Sequence, residues 1–138
     1  MRKIVLDTNV LISGTFWSGA SFKTLERIDK KLDISISSKD ILSEYERIIK
    51  SEDIAEKVEN NDLVVSKVSQ KAIINSIIVE PKEKLSVVKD DPNDNIILEC
   101  AQEGKVDYII TNDKHLLRIK EFDGIKIVTP DEFLKIID

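Results

Sequence analysis

A run of three apolar residues, Ile4-Val5-Leu6, ends abruptly at an acid, Asp7. An uninterrupted Ile/Val/Leu run bounded this tightly is the pattern of a strand buried on both faces, as in a parallel sheet. Asp7 then falls at the strand's carboxyl end, where open α/β sheets bind their ligands. A carboxylate there costs free energy unless a positive or hydrogen-bonding group meets it. A cation would do so. Capping of the following segment would also do so, since Asp7-Thr8-Asn9 is a good turn and cap sequence.

The same placement recurs downstream. Val106-Asp107-Tyr108-Ile109-Ile110-Thr111 reads as a second strand and delivers Asn112-Asp113 at its end. Asp90-Asp91-Pro92-Asn93-Asp94 precedes the helical pattern Ile96-Ile97-Leu98-Glu99-Cys100-Ala101. A helix over about 38–50 carries an apolar stripe of Ile41, Leu42, Tyr45, Ile48 and Ile49, flanked by Glu44 and Glu46 at similar angles. Either glutamate can reach a crevice beside the sheet. Four separated acidic positions converging on one crevice make a site for hard divalent cations such as Mg²⁺ or Mn²⁺.

Capping competes at each position. Asp91-Pro92-Asn93-Asp94 fits a helix start, with Asp91 as the cap, Pro92 at the first position and Asp94 at the third. Acids in a first turn are favoured by the helix dipole at roughly 0.3–1 kcal/mol. Asp113 precedes a short helix bearing Leu116 and Leu117, so it can cap as well. His115, the single histidine, reads as a surface or packing residue. Trp17 either packs or, in the segment after strand one, stacks on a base.

The remaining segments alternate strand and helix. A strand over 3–6 is followed by a helix near 20–32, a strand over 34–37 and the helix over 38–50. A helical hairpin is expected over 52–60 and 62–75. Then come a strand over 77–79 stopped by Pro81, a helix over 94–104 closed by Gly104, and a strand over 106–111. The chain finishes with the short helix, a strand over 125–128, and a helix opened by Thr129-Pro130-Asp131-Glu132. This alternation predicts an α/β fold, a parallel sheet covered on both faces. The 138 residues suffice for one domain, 1–138.

The net charge of −5 argues against a general nucleic-acid-binding surface. It leaves room for local phosphate contacts from Arg2, Lys3, Lys114, Arg118 and Lys120. One cysteine allows no internal disulfide and fits a reducing cytoplasm; Cys100, among apolar neighbours, reads as core. The basic start meets only three apolar residues before Asp7, so no signal peptide is expected, and no apolar run approaches membrane-spanning length.

The block Leu6-Asp7-Thr8-Asn9-Val10-Leu11-Ile12-Ser13, Glu44, Asp91-Pro92-Asn93-Asp94-Asn95, and Thr111-Asn112-Asp113-Lys114-His115-Leu116-Leu117 together resemble the PIN domain family. That family comprises metal-dependent nucleases, among them the VapC-like toxins of type II toxin–antitoxin pairs. The resemblance runs from Met1 to about Pro130. It implies a three-layer α/β/α fold with sheet order 3-2-1-4-5, which makes strands one and four neighbours. It also implies an endoribonuclease acting on single-stranded RNA, with Asp7, Glu44, Asp94 and Asp113 around Mg²⁺ or Mn²⁺. In that scheme Asn9, Asp91, Thr111 and Asn112 orient the ligands by hydrogen bonding. A homodimer and a cognate antitoxin that blocks the crevice are further implications. A solitary RNA-processing PIN nuclease, or a noncatalytic RNA- or protein-binding module on the same fold, are the alternatives. A phosphoacceptor receiver domain is excluded because strand three is followed by Glu80-Pro81 rather than an acceptor Asp. A haloacid-dehalogenase-type phosphatase is excluded because Asn9 stands where its second Asp would be.

Overall fold

The computed structural model describes residues 1–51, 63–89 and 91–137. The segment expected to be helical over 52–60 lies outside the described residues. Strand β1 spans Arg2–Leu6, β2 Asp33–Ser38, β3 Ile77–Val79, β4 Tyr108–Ile110, β5 Glu121–Phe122 and β6 Ile125–Val128. The described helices are α1 (Thr8–Phe16), α2 (Ala20–Asp29), α3 (Lys39–Ile49), α4 (Leu63–Ile74), α5 (Pro92–Gly104), α6 (Lys114–Ile119) and α7 (Pro130–Ile137).

The strands form one sheet in the order β3-β2-β1-β4-β6-β5, parallel throughout except for the β5–β6 pair. Ile4, Val5 and Leu6 are all buried, and successive strand residues point to opposite faces, so helices cover both sides of β1. On one side α5 packs across β1 and β2; elsewhere α2 packs against α1, α4 and α7.

The order differs in one detail from the expected 3-2-1-4-5. A two-residue strand, Glu121–Phe122, adds to the edge before Ile125–Val128, so the strand expected as the fifth is the sixth. Its turn is Asp123-Gly124, with φ of 52° and 79°. Two consecutive positive φ values are what a type I′ hairpin turn requires, and Asp-Gly is a preferred pair for it.

Helix α1 was not among the expected elements. Its buried residues, Thr8, Val10, Leu11, Gly14 and Thr15, do not form a single apolar stripe. Gly14 in mid-helix permits close packing: a Cβ there would collide with Leu25 of α2 and lie 3.0 Å from the Ser21 carbonyl oxygen. Ser69 of α4 donates to the Gly14 carbonyl at 2.6 Å, fastening a third helix to the same place. Gly104 also has a different role from the expected one. The left-handed residue that ends α5 is Lys105 (φ 50°), whereas a Cβ on Gly104 would lie 2.6 Å from Ile36 Cγ2. Gly104 is there to let the helix approach β2.

The Thr129–Glu132 capping box forms reciprocally. The Thr129 N–H donates to Glu132 Oε1 at 3.3 Å, and the Glu132 N–H donates to Thr129 Oγ1 at 3.1 Å. Between α2 and β2, Arg27 Nε donates to Asp33 Oδ2 at 2.7 Å, and the Asp33 side chain is wholly buried. Removing the cation leaves a buried charge unpaired, which typically costs about 3–5 kcal/mol. Arg27→Met is therefore expected to destabilise the domain by about 3 kcal/mol in urea unfolding. Adding Asp33→Asn should recover most of that loss.

Candidate metal centre at the carboxyl edge of the sheet

Parallel pairing of β1 with β4 brings the residues after Leu6 and Ile110 together. The Asp7 N–H donates to the Ile110 carbonyl at 2.9 Å. Asp7 stands at the N-cap of α1, but its side chain makes no cap hydrogen bond. Its Oδ2 instead accepts from the Thr111 hydroxyl at 2.6 Å. Asp7 is 7% exposed. Burial raises its pKa to about 6, against the opposing pull of the Thr111 hydroxyl and the Thr8 amide; the charges of Asp113 and Glu44 add to the rise.

Thr111 works in both directions. Its oxygen also accepts from the Asp113 N–H at 2.9 Å, so one buried hydroxyl ties together the two strand-end acids. Asp113 does cap its helix, as capping chemistry predicts: Oδ1 accepts from the N–H of His115 at 2.7 Å and of Leu116 at 3.2 Å. Two amide bonds on one oxygen fix the carboxylate's orientation.

Helix α5 delivers the third strand-edge acid. Asp91 caps it, accepting from the Asn93 N–H at 3.1 Å. Asn95 secures the preceding loop, accepting from the Val88 N–H at 2.9 Å and donating to its carbonyl at 2.8 Å. Asp94, in the first turn, is 4% exposed, far from the solvated acid that dipole complementarity alone would place there. Its Oδ2 is buried without a hydrogen-bond partner. Burial raises its pKa to about 7, and the neighbouring charges of Asp113, Asp91 and Asp7 reinforce the shift.

Glu44 is half-buried on α3. Its pKa is raised by burial, lowered in part by Arg47, and raised again by Asp91. Its charge is also felt by Asp7. Glu46 is exposed and paired with Lys50 at 2.6 Å, which holds its carboxyl below the usual range. It lines a different groove, with Leu42, Ile78 and Pro81. Of the two glutamates, Glu44 is the one whose charge couples to Asp7 and Asp91.

Among the described residues, one group of side chains has metal-ligand spacing: Asp91, Asp94, Asp113 and His115 each offer a donor atom within 4.8 Å of the others. Asp7 adjoins this group electrostatically, through Asp94 and Asp113, and Glu44 through Asp7 and Asp91. His115 was not singled out as a ligand in the sequence. A position just after a capping acid is the signal that could have found it. Asn9 and Asn112 are exposed, and no hydrogen bond joins either to these carboxylates among the described residues. Arg2 and Lys3 lie at the opposite end of β1, roughly 13–16 Å away at about 3.3 Å per residue, and cannot serve phosphates at this edge. Trp17 closes the far end of α1, about 13 Å along the axis at about 1.5 Å per residue, edge-on to Phe16. Lys114 and Arg118 are exposed on α6, the helix that Asp113 opens. Cys100 is buried in the core with its thiol pushed up to about 12 by burial, so it is no nucleophile.

A mutually repelling carboxylate set, with Asp7 and Asp94 buried and one oxygen unpartnered, suits a divalent cation with oxygen ligands. A PIN domain profile matches residues 3–115, which includes each of these acids. The chain belongs to the PIN domain family. Its fold is shared with a chain in the crystal structure of VapBC2 from Rickettsia felis bound to a DNA fragment from their promoter. The TM-score is 0.58 at 15% identity, over 91% of this chain and 96% of that one. No curated protein matches the chain in sequence. In this PIN domain no helix among the described residues is long and apolar enough to cross a membrane.

Proposed function

We propose that this PIN domain, 1–138, is a divalent-metal-dependent endoribonuclease that hydrolyses phosphodiester bonds of single-stranded RNA. We further assign it as the toxin of a toxin–antitoxin pair in the cytoplasm. The observation that carries the reading is Asp94: a buried carboxylate with an orphan oxygen, surrounded by three other acids. No solvated or capping role accounts for that arrangement. A cation does.

Asp7, Asp94 and Asp113 are the principal ligands, and Glu44 completes the set from α3. Thr111 sets the orientation of Asp7, and the α6 amides set that of Asp113. Asp91 adds negative charge while holding the start of α5. A bound Mg²⁺ or Mn²⁺ would acidify water and offset the charge that develops on the phosphate oxygens. Lys114 and Arg118, on the adjoining helix, meet the flanking phosphates. The carboxylate set also defines the partner: an antitoxin that inserts a basic side chain among these acids neutralises them and blocks the crevice. The toxin assignment is drawn from the fold shared with a chain of the VapBC2 complex. The PIN resemblance implies that the toxin would act as a homodimer.

The test is cleavage of a labelled single-stranded RNA with Mg²⁺ or Mn²⁺, with and without EDTA. Cleavage should require the ion. Glu44→Gln should lower the rate by about tenfold or more, the scale of one ligand-supporting carboxylate. Glu46→Gln should leave it unchanged. Cleavage that persists in EDTA, or equal loss from both glutamate variants, contradicts the assignment.

A further inference from the structure

We propose that His115 is a nitrogen ligand of this metal centre, making it a mixed imidazole–carboxylate site rather than an all-oxygen one. The inference rests on the metal-binding reading above and adds a donor that an acidic quartet does not contain.

The geometry carries it. His115 Nδ1 lies 3.9 Å from Asp94 Oδ2 and 3.9 Å from Asp113 Oδ1. Two neighbouring donors each about 2.0–2.2 Å from one ion stand roughly 3.0–3.5 Å apart, so the gap to the unpartnered Asp94 Oδ2 is only about half an ångström wider than ligand spacing. It is too long for a hydrogen bond, and Asp94 Oδ2 has no hydrogen-bond partner. The ring therefore does not satisfy the buried oxygen it faces; an ion between them would satisfy both. The backbone from which the ring projects is fixed. The His115 N–H is bound to Asp113 Oδ1, so the residue that supplies one ligand also anchors the segment that supplies the other.

The chemical consequence is selectivity. Carboxylates and water suit Mg²⁺, whereas imidazole favours later divalent metals such as Co²⁺, Ni²⁺ and Zn²⁺. A site with one nitrogen donor should gain affinity along that series.

His115 is the single histidine of the chain, so any imidazole signature in a tag-free protein belongs to it. The experiment is a titration of wild type, His115→Gln and Asp94→Asn with Co²⁺ and with Mg²⁺ by calorimetry. Proton NMR of each Co²⁺-loaded protein accompanies it. The expected result is a hyperfine-shifted, solvent-exchangeable imidazole resonance in wild type that is absent from His115→Gln. Co²⁺ affinity should fall by about 10–100-fold in that variant, while Mg²⁺ affinity changes by less than about twofold. Asp94→Asn should weaken both ions. Suppose Co²⁺ binds wild type and His115→Gln equally, with no shifted imidazole signal, and Asp94→Asn weakens it. The ion is then held by carboxylates alone: this inference fails and the metal reading stands. If neither ion binds wild type, both fail.

Discussion

Asp94→Asn is expected to abolish cleavage and, at the same time, to raise the melting temperature of the metal-free protein above pH 7. The two effects have one cause. In the absence of a cation the Asp94 carboxylate is buried beside Asp113, Asp91 and Asp7, with one oxygen unpartnered. Asn has nearly the same shape, carries no charge, and offers an amide that can donate to the surrounding carboxylates. The repulsion is relieved and the folded state gains. Removing the anionic ligand, however, removes the cation's hold, and loss of a metal-dependent step costs several kcal/mol of transition-state stabilisation. At about 1.36 kcal/mol per decade, the rate should fall by about a thousandfold. Asp7→Asn should lose as much activity. If Asp7 served only as a cap, Asn would replace it without loss, since the two cap about equally well. Rate assays and thermal melts on the same preparations check both halves. A variant that is inactive and less stable would point to a structural acid instead.

The second large effect is on the pH dependence of stability. Asp94 and Asp7 have folded-state pKa values of about 7 and about 6, above an ordinary 3.8. A raised acid binds its proton more tightly in the folded state. Its contribution to stability is therefore complete below the unfolded value and is lost as pH rises through the folded value. The window here runs from about pH 4 to about pH 7. Because the two groups interact, they titrate as a set, and the combined loss between pH 5 and pH 8 should be on the order of 3 kcal/mol. For a chain this size that corresponds to roughly 10 °C in melting temperature. Mn²⁺ at a hundred times its dissociation constant should restore about 2.7 kcal/mol at pH 8. Asp94→Asn should flatten the pH slope. Stability that is level or rises between pH 5 and pH 8 in EDTA would contradict this electrostatic account.

The legible parts of this molecule are those where one local rule acts alone. Ile4-Val5-Leu6 followed by Asp7 announces a two-sided strand with an acid at its end, and Thr129-Pro130-Asp131-Glu132 announces a helix start. The parts that were not legible are set by packing between distant segments. Helix α1 carries buried residues without a one-sided stripe, because α2, α3 and α4 all close on it. Gly104 looks like a helix terminator until β2 is placed against it. The burial of Asp94 follows from the apposition of α5 and the β1 and β4 ends, which no first-turn pattern reveals. Two further signals stand in the sequence and were not read there. Asp123-Gly124 is a hairpin turn pair. Lys50, four residues after Glu46, is placed to pair with that exposed glutamate.

The central claim is that the acids at the carboxyl edge of the sheet form a divalent-metal centre. Its most direct test is anomalous X-ray scattering from crystals of the wild-type protein grown with Mn²⁺. A peak within bonding distance of Asp94 and Asp113, lost in Asp94→Asn crystals under the same conditions, is the predicted result. Well-ordered acids with no peak at millimolar Mn²⁺, or ions bound only elsewhere on the surface, would contradict the claim.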